Sequence, residues 1–100
     1  MIIIAGTIQI DPAKTDEAMD AAKICMQATH QEAGNEAYVF SLDPIEPGLV
    51  HVFEKWADDD SLASHLGTPH MAEFQGKMGG FGISSMSIKK YTGATEGELF

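Results

Sequence analysis

Apolar and polar positions along the chain follow two periods, and the switches between them mark the elements. Residues 2–10 run Ile-Ile-Ile-Ala-Gly-Thr-Ile-Gln-Ile. β-Branched side chains lead and alternation follows, which predicts a strand closed by Asp11-Pro12. From residue 13 to 33 the composition turns to Ala, Met, Lys, Glu and Gln. The spacing of Ala18, Ala22, Cys25 and Thr29 puts them on one stripe of a helix. Asp16 and Glu17 suit its N-terminal dipole, and Gly34 its stop. Residues 36–43 set Ala37, Val39 and Ser41 against Tyr38, Phe40 and Leu42, a second strand. Pro44, Pro47 and Gly48 connect it to a third, residues 49–56, as a hairpin partner. Asp58-Asp59-Asp60 caps a short helix to about Leu66, and Gly67 breaks it. Thr68 and Pro69 start another helix, with Met71, Phe74 and Met78 on one side. Gly79-Gly80 end it, and residues 81–91 form the last strand.

The order β-α-β-β-(αα)-β predicts an α+β chain: ferredoxin-like βαββαβ, an antiparallel sheet with helices on one face. One domain spans residues 1–91, followed by a polar tail at 92–100. The helices leave the opposite sheet face uncovered, and Ile3, Ala5, Leu49, His51 and Phe53 lie on it. A homodimer packed sheet on sheet is the expected solution, with His51 as an interface residue.

Acidic residues number 15 against 6 basic, a formal charge of −9. That excludes nucleic acid and anionic membrane surfaces as partners. No apolar run approaches a membrane span, and the start lacks the basic region of a signal peptide. The expectation is a soluble cytoplasmic protein. Cys25 is the sole cysteine, so no internal disulfide or cysteine metal site forms. It reads as a small core residue on the helical stripe. Nucleophile-elbow, P-loop and dinucleotide motifs are absent, and Gly79-Gly80-Phe81-Gly82 follows a helix, so it is a turn.

Candidate chemistry gathers around the third strand. Val50, Val52, Glu54 and Trp56 share one face there, so Glu54 lies on an apolar face beside the only tryptophan. A carboxylate in such a place needs a partner or a raised pKa. Leu62, His65 and Leu66 lie at i, i+3 and i+4 and aim inward, and His70 sits in the first turn of the next helix. Both histidines are candidate partners of Glu54. One reading makes the trio a staple between helices and sheet. The other makes it the edge of a small pocket floored by Trp56. Metal ligation by the trio is a third arrangement, but no H-x-H or H-x-x-x-H pair supports it. His30, at the helix end, reads as a surface residue favoured by the dipole.

Glu54-Lys55-Trp56, Leu62, His65-Leu66, Thr68-Pro69-His70 and Phe74 together resemble the signature block of the antibiotic biosynthesis monooxygenase family. Thr29-His30-Gln31-Glu32-Ala33-Gly34 is similar to that family's T-R-x-E-P-G helix end, and Tyr38 to the tyrosine of its second strand. His30 replaces the common arginine and Ala33 the common proline. The resemblance spans residues 2–91 and implies a dimeric α+β barrel. It implies cofactor-independent oxygenation of a small electron-rich aromatic, a quinol or anthrone, by O2. His65 or His70 would be the base, Glu54 its orienting carboxylate, and Trp56, Phe40, Phe74 and Tyr38 the walls. No cofactor and no metal are expected. The haem-degrading branch has an asparagine, a tryptophan and a ligand histidine where this chain has Gly6, His65 and Gln75. A non-catalytic binding or stress-related module and an isomerase on the same barrel are the alternatives.

Overall fold

In a computed structural model of residues 1–100, four strands form one antiparallel sheet in the order β2-β3-β1-β4. They are β1 (Ile2–Gln9), β2 (Asn35–Leu42), β3 (Leu49–Trp56) and β4 (Ser85–Thr92). Three helices lie on one side: α1 (Thr15–Thr29), α2 (Asp59–Leu66) and α3 (Pro69–Met78). This is the ferredoxin-like α+β arrangement that the pattern predicts. Residues 93–100 carry neither helix nor strand.

Period-two alternation decides what enters the core. Ile2, Ile4, Ile8, Tyr38, Val50, Val52 and Trp56 all face the helices and are buried. Ala18, Ala21, Ala22, Cys25 and Thr29 form the buried stripe of α1. Their small side chains let the helix lie close to the sheet. The larger Phe74 and Met71 are the buried residues of α3. Asp11, Asp58 and Thr68 side chains accept from the first free amides of the turn and helices they precede.

Three expectations need correction. The first helix does not reach residue 33. A 3-10 turn at Pro12–Lys14 precedes it, and it ends at Thr29. There the chain tightens through Gln31 N–H to Ala28 and Glu32 N–H to Thr29, and Gly34 takes φ +82°. β4 begins at Ser85 rather than at residue 81. Phe81 is buried in the preceding loop, its carbonyl holds Asp11 N–H, and Gly82 packs on Asp11 at φ +66°. Leu66 does not face inward but is 58% exposed, because α2 stops one residue later at Gly67.

Helical cover is incomplete. Every residue of β4 is exposed, including Met86 and Ile88 on the helix-side face. On the opposite face Val39, Phe53 and Tyr91 stand exposed, and the tail crosses back to it through a Lys55–Glu96 ion pair. No helix is long and apolar enough to cross a membrane.

β1 and β4 approach so closely at Gly6 that a Cβ there would strike Ser87 O and Ile88 Cα. The obstacle is backbone, which a rotamer change cannot relieve. Gly6→Ala is therefore expected to lower stability by about 1–3 kcal/mol. Amide exchange in β4 should quicken more than in β2, which chemical denaturation and hydrogen exchange would measure.

Candidate functional site

A cleft of about 370 Å³ opens between the sheet and α3. Tyr38, Phe40 and Val52 on the strands face Met71, Phe74 and Met78 on α3 across it. Met86 and Ile88 of the uncovered β4 form its outer rim. Ten of the 13 lining residues are hydrophobic, and the polar side chains among them, besides the tyrosine, are Glu54 and Gln75.

Glu54 is placed by register. It sits on β3 between Ile4 of β1 and Tyr38 of β2, on the helix-side face. Its Oε1 accepts from the indole Nε1 of Trp56 at 2.9 Å, and Oε2 takes no hydrogen bond within the chain. Burial raises its pKa above the ordinary 4.5. The Trp56 bond and the nearby His65 lower it again, and the Glu32 charge adds to the rise. Tyr38 lines the cleft with its ring, but its hydroxyl turns away to Met71 Sδ at 3.5 Å and Cys25 Sγ at 3.7 Å. Burial pushes that phenol far up, so it stays protonated.

The structure thus brings Tyr38, Phe40, Phe74 and Glu54 to one cleft. Trp56, His65 and His70 stand behind it instead. Trp56 is fully buried and reaches the cleft only through Glu54. Neither histidine bonds Glu54. His65 Nδ1 and His70 Nε2 each donate to Glu32 Oε2, both at 2.8 Å. The expected staple exists, but a different carboxylate makes it.

Glu32 is the residue that the sequence reading missed. It lies in the turn after α1, and Gly34 beside it packs against the Ser61 side chain of α2. Ala57 N–H to Gly34 O at 2.8 Å fixes that approach. Thr68 closes the α2–α3 corner by donating its amide and its hydroxyl to His65 O. The corner keeps the two imidazoles 6.0 Å apart, on either side of Glu32. The resemblance had marked the segment containing Glu32, only as a helix end. From this clamp an aromatic chain runs to the cleft: His65 against Trp56 at 4.7 Å and Tyr38 at 5.0 Å, Tyr38 against Phe40 at 5.3 Å, Phe40 against Phe74 at 5.2 Å. His30 is exposed and bonds Tyr38 O at 2.9 Å, tying α1 to β2. His51 lies on the outer sheet face, bonded to Asp43.

The model of one protein family, described as antibiotic biosynthesis monooxygenase, matches residues 1–77. The uncharacterized protein sll1783 of Synechocystis is 29% identical over 90 residues, covering 90% of this chain and 61% of that protein. A solved structure of a candidate antibiotic biosynthesis monooxygenase from Deinococcus radiodurans superposes with TM-score 0.90 at 22% identity, covering 100% of this chain and 99% of the other. Another such candidate, from Caulobacter crescentus, gives 0.85 at 23% identity over 94% and 90%. At these identities the structures establish the fold.

The raised pKa of Glu54 has a sign that stability can report. An acid whose folded pKa lies above its unfolded one binds more protons folded, so its charging costs stability as pH rises. Relative to Glu54→Gln, the wild type should lose stability on raising pH from about 4.5 to the raised pKa, then stay level. Glutamine keeps an oxygen for Trp56 Nε1. Urea denaturation of both proteins across that range measures the difference.

Proposed function

Because the chain belongs to the antibiotic biosynthesis monooxygenase family, we propose that its cleft oxygenates a small electron-rich aromatic, a quinol or anthrone, with O2. One observation carries the reading: a single carboxyl group of raised pKa in a cleft whose lining is otherwise apolar but for Gln75. Apolar aromatic walls suit a flat ring and exclude water. No lysine, arginine or histidine lines the cleft, so a substrate that enters neutral is favoured over an anion.

Glu54 then takes the part first assigned to a histidine. With Oε1 held by Trp56, the free Oε2 accepts the substrate's acidic proton. A carboxylate desolvated in this way is a stronger base than one in water. The resulting carbanion or phenolate passes an electron to O2, and recombination forms the new C–O bond. For an anthrone the methylene becomes a carbonyl, and the second oxygen atom leaves as water. Trp56 is a positioning residue in this scheme. The Glu32–His65–His70 clamp supports the helical wall and touches no substrate. Residues 1–91 form the working unit.

A second copy completes the molecule. Val39, Phe53 and Tyr91 are exposed on the outer sheet face. Burying each such side chain is worth about 1.5–3 kcal/mol. Light scattering at micromolar concentration should give the mass of a dimer, and a monomer mass would refute this. Phe53→Asp should aggregate or unfold rather than give a stable monomer.

Oxygen uptake on a panel of quinols and anthrones, with catalase present and no added flavin or metal, tests the chemistry. Glu54→Gln should lower turnover by about 10²–10⁴-fold while keeping the fold. Ligand binding without oxygen uptake would favour the binding module instead. Full turnover in folded Glu54→Gln would remove Glu54 as the base.

A further inference from the structure

The clamp behind the cleft has the form of a cation site whose metal position is filled by protons. We propose that Glu32, His65 and His70 bind a divalent cation of the zinc class, taking it through Glu32 Oε2, His65 Nδ1 and His70 Nε2. This rests on the clamp alone and stands or falls independently of what the cleft binds.

Geometry makes the first argument. The three donor atoms lie within 4.8 Å of one another, and both imidazole nitrogens face the same carboxylate oxygen at 2.8 Å. A tetrahedral cation with bonds of about 2.1 Å spaces its donors about 3.4 Å apart. Glu32 therefore needs to retreat from each ring by about 0.6 Å, which a side chain on a turn can do, while the part-exposed His70 ring swings toward His65 to bring the two nitrogens to that spacing. Two nitrogens and one carboxylate oxygen suit zinc, cobalt or nickel better than calcium or magnesium.

An orphaned atom makes the second. His65 is 1% exposed, and its Nε2 has no hydrogen-bond partner. While Nδ1 donates to Glu32 in the neutral ring, Nε2 presents a bare lone pair to its surroundings. The Trp56 and Tyr38 rings pack against this imidazole, with centroids 4.7 and 5.0 Å away, and nothing near Nε2 donates to it. A buried lone pair without a donor is costly, and an N–H among electron-rich rings is less so. A cation on Nδ1 moves the proton to Nε2 and supplies that N–H. His70, part exposed, moves its proton to the other nitrogen, where water accepts it. Each imidazole keeps one proton, so no charge has to be removed elsewhere.

Access makes the third. Glu32 also borders a surface hollow of about 420 Å³ that Asp58, Asp60, Ser61, Ser64 and Thr68 line. Its acids concentrate cations at the mouth, in a chain of net charge −9.

Titration of the metal-free full chain with Zn2+, and with Co2+ as the optical probe, tests the proposal. One equivalent per chain should bind, raise Tm, and give the visible band of four- or five-coordinate cobalt. Histidine 15N shifts should move His65 from the Nδ1–H to the Nε2–H form. His70→Ala should weaken binding by more than about 100-fold. Asp60→Asn, at the mouth, should keep the stoichiometry. No binding, or binding unchanged in His70→Ala, would overturn the site and assign any residual affinity to surface acids. If His70→Ala fails to fold, the wild-type spectrum decides: an unmoved His65 tautomer in excess Zn2+ also overturns it.

Discussion

One carboxylate oxygen ties together the three helical segments that cover the sheet. Glu32 Oε2 joins the turn after α1 to the last turn of α2 and the first of α3, through two imidazoles. Short helices of 8 and 10 residues have little propensity to stand alone. Their place is set by what they are fastened to, and this oxygen is the polar fastening beside the buried Leu62, Met71 and Phe74. The side chain is only 14% exposed, so both bonds are made largely out of water and are correspondingly strong.

A half-buried carboxylate and a buried one thus have opposite fates. Glu32 is met by two donors from nitrogen rings, and Glu54 by one indole. The clamp satisfies its charge. The other carboxylate has one oxygen held by the indole and one left open to the cleft. They also act on each other, since the Glu32 charge pushes the Glu54 pKa up beyond burial while His65 draws it down. The charges held in the clamp therefore help to set how tightly Glu54 holds its proton.

Periodicity made most of the fold legible. Strand faces followed the period of two, and α1 followed its small-residue stripe. His65 and Glu54 were correctly aimed inward, because their neighbours at helical and strand spacing are apolar. Glu32 was not legible, because a turn has no period and its partners lie 33 and 38 residues downstream. The indole bond to Glu54 spans two residues on one strand face and was available to inspection. Histidines on the helices covering that face are the partners the pattern suggests, although tryptophan is the nearer donor. Leu66 and Phe81 failed for a common reason: each sits at an element end, where loop contacts rather than repeat decide burial.

The rim of the cleft is an edge strand. β4 pairs with β1 alone and carries no helix on either side, yet Met86 and Ile88 close the pocket. The position of that rim is then set by a single ladder of backbone hydrogen bonds between β1 and β4. Gly6, where a Cβ would strike the β4 backbone, fixes how near the rim lies to the sheet, so a side chain added there would reshape the cleft from behind.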